Sequence, residues 1–468
     1  MKIQLILFAI GILIANLLFG QEITGQWNGL LKVQGTQLRI VFNINKTENG
    51  ISSTMDSPDQ GAKGIPVNST TFENSTLKLA VSNLSIEYEG VLNNNNIIEG
   101  TFKQRGMSFP LSLSKGIVEK EKLVRPQEPV KPYPYDSEDV TFDNAKAGIT
   151  LAGTLTLPTK EGIFPAVVLI TGSGPQNRDE ELMGHKPFLV LSDYLTKNGI
   201  AVLRFDDRGT AASKGDFKTA TSLDFASDVA SAVAYLKTRK EINKKKIGLI
   251  GHSEGGIIAP MVASTSKDIA FIVLLAGTGI PGDQLLLAQQ QLIGKASQHL
   301  SDEALQRSKA INKGAFELVA KDINPEQLKT DLTDYIKKSL ADDPNFKSPE
   351  GMSVNDLVKL QVNQITSPWM LFFIKYNPAV ALEKVKCPVL ALNGEKDLQV
   401  PPKENLEAIK KALLKGGNKK VTTIELPNLN HLFQECKTGL PSEYTTIEQT
   451  FSPAALTEIL KWIQIQTK

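Results

Sequence analysis

One stretch constrains the rest of the chain: Lys246-Ile247-Gly248-Leu249-Ile250-Gly251-His252-Ser253-Glu254-Gly255-Gly256-Ile257-Ile258-Ala259-Pro260. A short apolar run reads as a buried strand ending at Gly251. A second run from Gly255 reads as a helix. The five residues between them form a G-x-S-x-G pattern, which in a strand–turn–helix setting marks a sharply bent, strained turn. The bend lifts the Ser253 hydroxyl clear of the sheet edge. It also aims the N–H of Glu254 at a helix N-terminus, where partial positive charge favours an oxyanion. A phosphate-binding loop is the competing reading, but the further glycines and the lysine of a P-loop are missing.

A nucleophilic serine needs a histidine as base and a carboxylate to orient it. The chain has four histidines: His185, His252, His299 and His431. His252 adjoins the serine, with its side chain expected to point away along the turn. His185 precedes the serine in chain order, and His299 falls in a helix-rich insertion. His431 follows the last expected strand and is the expected base. The acid should end the strand before it, where Asn393-Gly394-Glu395-Lys396-Asp397 offers two carboxylates. Asp397 is preferred because Gly394 permits a turn from which it projects; Glu395 is the alternative. The N–H groups of Glu254 and of Ser173, in Gly172-Ser173-Gly174-Pro175 after another strand, are the expected oxyanion donors.

Those motifs sit in an alternating series. Apolar strands are expected at 166–171, 200–205, 246–250, 270–275, 389–392 and 421–426, with helices at 188–196, 223–240, 403–414 and 453–465, after an antiparallel pair at 140–142 and 149–157. Strands apolar on both faces and spaced by helices imply a mostly parallel sheet covered on both sides. The segment from about 283 to 375 interrupts the series and is expected to form a helical cap. Its Trp369 and Phe372 are candidates to line a substrate pocket. The Arg178, Asp179, Asp206, Asp207 and Arg208 charges follow strand ends and are expected to pair with one another and hold the loops, with steering of substrate as the alternative.

The rest of the chain differs in character. Residues 21–116 hold short alternating runs separated by Asn and Gly clusters, the pattern of a small all-β barrel or sandwich. Residues 117–139 are proline-rich and read as a semi-rigid linker. Residues 1–20 carry one early positive charge, a short apolar run and a small residue at the end. They are expected to be a signal peptide for export, with an uncleaved anchor as the alternative. No stable membrane span is expected after its removal. With 52 basic and 50 acidic residues the chain lacks the charge asymmetry of a nucleic-acid binder. Its two cysteines, Cys387 and Cys436, are too few for a cysteine zinc site. They are expected at opposite ends of a strand, too far apart to bridge, and so to be free thiols. No metal or cofactor is expected, and the oligomeric state is left open.

From 140 to 468 these motifs together resemble the α/β-hydrolase superfamily, an α/β fold. Gly172-Ser173-Gly174-Pro175-Gln176-Asn177-Arg178-Asp179, Gly251-His252-Ser253-Glu254-Gly255-Gly256 and Leu392-Asn393-Gly394-Glu395-Lys396-Asp397 look like a bacterial esterase group related to the serine aminopeptidases. The β segment ahead of them is similar to lipocalin-like modules. The resemblance implies a Ser253–Asp397–His431 triad and hydrolysis of small acyl esters. A peptidase of the same fold, or a binding protein on a hydrolase scaffold, is the alternative. Thr171 stands where many relatives carry histidine.

Overall fold

The computed structural model describes residues 22–33, 36–48, 50–104, 107–119, 124–298, 301–321, 323–344, 346, 348 and 352–468. The expected signal segment 1–20 and His299 lie outside the described residues. The chain divides into two compact units, one containing the strands up to Ser114 and the other the strands from Asp136 onward.

The first unit is an antiparallel meander of nine strands. They are β1 (Gly25–Val33), β2 (Thr36–Thr47), β3 (Gly50–Ser57), β4 (Ala62–Pro66), β5 (Ser69–Glu73), β6 (Thr76–Val81), β7 (Ile86–Leu92), β8 (Ile97–Gln104) and β9 (Met107–Ser114). Their order is β4-β3-β2-β1-β9-β8-β7-β6-β5. The two-residue period of a pleated strand is explicit in β7, where buried and exposed residues alternate from Ile86 to Leu92. The inward set gathers Trp27, Phe42, Leu77, Tyr88, Ile98 and Phe102 into one core. Gly90 and Gly100 face each other across β7 and β8. A Cβ on either would meet the Tyr88 hydroxyl at 2.6 Å, so the ring can lie over them only because both are glycine. The sheet curls until β3 meets β5, where Ser53 Oγ and Thr70 Oγ1 are 2.6 Å apart. One curled sheet resolves the choice between barrel and sandwich in favour of the barrel-like form.

The second unit is built on an eight-stranded sheet. Its strands are β10 (Asp136–Asn144), β11 (Ile149–Leu157), β12 (Phe164–Ile170), β13 (Ala201–Phe205), β14 (Ile242–His252), β15 (Phe271–Leu275), β16 (Val389–Gly394) and β17 (Val421–Leu426). The order is β10-β11-β13-β12-β14-β15-β16-β17. The first three are antiparallel neighbours; from β13 to β17 every pairing is parallel. Alternation explains why an inner strand such as β12 is apolar on both faces. In β12, Ala166, Val168 and Ile170 join one core with helices α2 (Ser222–Thr238), α3 (Gly255–Ala263) and α10 (Pro402–Lys415). Val167 and Leu169 point the other way, into a second core with α1 (Pro187–Lys197) and α11 (Pro453–Gln466).

Between β15 and β16 the chain leaves the sheet as α4 (Gly282–Ser297), α5 (Asp302–Ala320), α6 (Pro325–Ala341), α7 (Val354–Ile365) and α8 (Pro368–Lys375), followed by the short α9 (Ala379–Leu382). Helices α5, α6, α7 and α8 each begin on a Ser or Asn whose side chain accepts from a first-turn N–H. They have a core of their own, around Val319, Leu332, Ile336 and Val362.

The linker reading needs correction at its end. Strand β10 starts at Asp136, inside the expected 117–139 spacer. Nor do the prolines leave a free spacer. Proline removes backbone donors, and here side chains make the attachment instead. Arg125 donates to the carbonyls of Gly184, Thr445 and Ile447. Gln127 donates to the Phe451 carbonyl and accepts from the Thr450 N–H. Residues 125–127 are thus strapped onto the second unit. Cys387 and Cys436 are both free thiols. No helix among the described residues is long and apolar enough to cross a membrane.

Candidate active site

Ser253 follows β14 with φ +52°, the left-handed region. For a residue with a Cβ this conformation costs roughly 1–2 kcal/mol. Close packing forces it. A Cβ on Gly251 would lie 2.0 Å from the Gly255 carbonyl oxygen, and one on Gly255 would lie 2.2 Å from that of Ile170. Only glycine at both positions lets α3 start this tightly against β12 and β14. The Ser253 N–H donates to the Leu275 carbonyl at the end of β15, 2.8 Å away. Among the described residues, neither the Glu254 N–H nor the Ser173 N–H has an acceptor.

Asp397 and His431 come together as expected. Asp397 follows β16, is 2% exposed, and its Oδ2 lies 2.8 Å from His431 Nδ1. Its Oδ1 accepts from the N–H groups of Gln399 and Val400, each at 2.8 Å. An acceptor at Nδ1 fixes the tautomer and leaves Nε2 as the nitrogen available for a proton. Glu395 is placed differently. It is exposed, and its Oε2 accepts from the Asn428 N–H at 2.9 Å. The two carboxylates are therefore placed apart: Glu395 holds the turn at the surface, and Asp397 faces His431. His185 is a buried core histidine, bonded to the Tyr444 carbonyl and Thr450 Oγ1. Burial lowers its pKa to about 4, so it stays neutral.

Among the described residues, the cap reaches the turn at Ser253 through one hydrogen bond. Glu254 is buried, and its Oε1 accepts from Ser222 Oγ at 2.5 Å and from Trp369 Nε1 at 2.8 Å. Burial raises the Glu254 pKa against those two bonds. Trp369 also stacks on Phe373, ring centroids 5.0 Å apart. Its polar edge is thus committed to the residue after Ser253. Phe372 stacks on Tyr376 at 5.2 Å.

Of the charges expected to pair with one another, only Arg178 and Asp206 do; Asp179 and Arg208 take partners outside that set. Arg178 binds Asp206 at 2.8 Å, Arg208 binds Asp228 at 2.7 Å, and Arg204 binds Asp179. Asp207 instead accepts from Thr171 Oγ1 at 2.7 Å and from the Gln176 N–H at 2.9 Å. Burial, opposed by these bonds and reinforced by Glu254 and Glu180, pushes its pKa up to about 8. The folded state therefore holds a proton that the unfolded chain releases near pH 4. Between those values the native state binds more protons, and stability falls as pH rises. Asp207→Asn keeps an acceptor for Gln176 and a donor for Thr171 without the titration. Its melting temperature is expected to gain on the wild type steadily from pH 5 to pH 8; parallel curves would show that Asp207 is ionised throughout.

The sequence reading misses two residues. The His252 ring does not point away; it lies buried with its centroid 4.8 Å from that of His431. Glu180, also buried, bonds to it at 2.9 Å. Nothing local signals this contact, because the partners are 72 residues apart.

A mostly parallel sheet with helices on both faces, a serine on a strained strand-to-helix turn and a buried carboxylate–imidazole pair after the last two strands define an α/β-hydrolase. The sequence profile described as serine aminopeptidase, S33 matches residues 187–435, more than half of the chain, and the chain belongs to that family. Esterase EstD of Thermotoga maritima is 34% identical over 172 residues, which is 36% of this chain and 39% of that protein. An uncharacterized protein of Pseudomonas aeruginosa, PA2218, is 30% identical over 137 residues, 29% of this chain and 35% of its own length. The chain thus spans well under half of the curated relatives it matches. Among solved structures, the Pyrococcus furiosus esterase Pf2001 aligns with 75% of this chain and 100% of its own, at 17% identity and a TM-score of 0.45.

Proposed function

We propose that this protein is an exported serine hydrolase that cleaves short acyl carboxylic esters through an acyl-enzyme. The observation that carries the reading is the buried Asp397–His431 pair, which leaves His431 Nε2 as the base, on a sheet whose strand β14 is followed directly by Ser253. His431 takes the Ser253 proton as the hydroxyl oxygen attacks the ester carbonyl. The N–H groups of Glu254 and Ser173 receive the oxyanion. His431 then protonates the departing alcohol, and in the second half of the cycle it deprotonates the water that releases the acid. Trp369 and Phe372 on α8 are assigned to the substrate side. The bond from Trp369 to Glu254 supports this, since it holds α8 against the nucleophile turn.

Ester rather than peptide chemistry is favoured by the state of the nearby carboxylates. An aminopeptidase needs an anion for the substrate ammonium. Glu254 and Asp207 are buried, hydrogen-bonded internally and have raised pKa values, so neither offers one. The name of the EstD relative points the same way. Export rests on the pattern of residues 1–20. The test pairs a fluorophosphonate probe with two substrate classes. Covalent labelling at Ser253, with p-nitrophenyl acetate or butyrate turned over and aminoacyl arylamides left intact, is the expected result. Arylamide turnover exceeding ester turnover would establish the peptidase reading instead.

A further inference from the structure

Two buried side chains beside Ser253 have no part in the proton transfers above. Glu180 lies in the loop after β12 with φ +51°, a left-handed conformation in a non-glycine residue. Its Oε1 accepts from the Gly172 N–H at 2.7 Å and faces His252 Nδ1 at 2.9 Å. On the other side of the ring, His252 Nε2 lies 3.0 Å from the backbone carbonyl oxygen of His431. A carbonyl oxygen only accepts, so Nε2 carries a proton. Nδ1 faces Glu180 Oε1, which also accepts from Gly172, and donates to it when that carboxyl group is ionised. With both nitrogens protonated, His252 is an imidazolium and Glu180 is its counter-ion. Burial opposes a charge on His252, but Glu180, then the bond to the His431 carbonyl and last Asp397 hold its pKa above the ordinary histidine value.

The pair joins two loops that the reaction needs in register. Gly172 precedes the Ser173 oxyanion donor. His431 is the general base. A Cβ added to Gly172 would lie 3.2 Å from Glu180 Oε1, 3.3 Å from Ser253 Cβ and 3.5 Å from His252 Nδ1, so all three converge on the same spot. The connection spans 72 residues from Glu180 to His252 and 179 from His252 to His431. Backbone strain of the kind at Glu180 persists only where the surroundings over-determine it.

We propose that Glu180 and His252 are positioning residues for ester hydrolysis: a buried carboxylate–imidazolium pair that fixes the oxyanion loop, at the Gly172 N–H, against the loop of the general base, at the His431 carbonyl. The inference rests on the serine hydrolase reading above. A misplacement of about 1 Å at the reacting centre costs on the order of 10²-fold in rate. The pair acts on geometry after binding, so its loss lowers kcat and spares KM.

The experiment uses the full chain with p-nitrophenyl butyrate and a fluorophosphonate, comparing wild type, Glu180→Gln, His252→Gln and Ser253→Ala. The Glu180→Gln side chain retains an acceptor but not the counter-charge. The His252→Gln side chain retains a donor for the His431 carbonyl but not the link to Glu180. Each of these two substitutions is expected to lower kcat and the phosphonate labelling rate together by roughly 10–100-fold, with KM within about threefold. Histidine-selective ¹⁵N spectra of the wild type supply the second readout. His252 should keep both ring nitrogens protonated to a higher pH than a free histidine does, and Glu180→Gln should remove that difference. Folded variants with wild-type kcat, beside an inactive Ser253→Ala, would overturn the positioning role and leave the hydrolase reading intact. An active Ser253→Ala would remove both. If the variants do not fold, the wild-type spectrum decides, and a neutral His252 overturns the proposal.

Discussion

Ser253→Ala is expected to lower kcat for a short acyl ester by about 10⁴-fold or more, with the melting temperature little changed. The substitution deletes one oxygen. It leaves the turn geometry to Gly251 and Gly255, whose close contacts with the Gly255 and Ile170 carbonyls set the bend. His431→Ala should cost about as much, because an alkoxide does not form at neutral pH without its base. The double variant should be hardly slower than either single one, since the two residues act as a unit and the residual rate comes from the N–H donors. Steady-state kinetics on the three variants, with circular dichroism to verify folding, make the comparison. Near-native turnover by a folded Ser253→Ala protein would remove the serine from the mechanism.

Asp397→Asn should produce the next largest loss, again on the order of 10⁴-fold in kcat. The reason lies in the hydrogen bonds. Asp397 Oδ1 accepts from two backbone N–H groups, of Gln399 and Val400. An asparagine must keep its carbonyl oxygen there, which turns its NH₂ toward His431 Nδ1. The imidazole then has to accept at Nδ1 and carry its proton on Nε2, the wrong tautomer for a base. Glu395→Gln keeps an oxygen for the Asn428 N–H at the surface and is expected to stay within a few-fold of wild type. If Glu395→Gln were the slower of the two, the acid would have to be reassigned.

The contrast between these two carboxylates shows how far the sequence is legible. Both lie after the same strand, two residues apart, with a glycine ahead of them, and side-chain chemistry does not separate them. What separates them is Gly394. A Cβ there would lie 2.3 Å from the Leu429 carbonyl oxygen, so the loop bearing His431 packs directly on the turn. That contact turns Asp397 inward and leaves Glu395 at the surface. His252 is the converse case. Adjacency to the serine suggests a side chain directed away from the site. Its partners, Glu180 and the His431 carbonyl, are instead brought to it by other loops.

The sequence by itself determined the strands of the second unit and the strand-to-helix turn at Ser253. These depend on local chemistry: apolar runs that tolerate burial on both faces, glycines at fixed offsets, and connections that return each parallel strand to the same edge. The tertiary structure alone decided which charges stay charged and what each buried polar group touches. Asp207 is buried without a cation while its neighbour Asp206 binds Arg178. Trp369 is tied to Glu254 across 115 residues. Arg125 anchors a segment whose prolines read as a spacer. Such outcomes are set by desolvation and by partners distant in the chain, and neither quantity exists until the sheet has brought those loops to one edge.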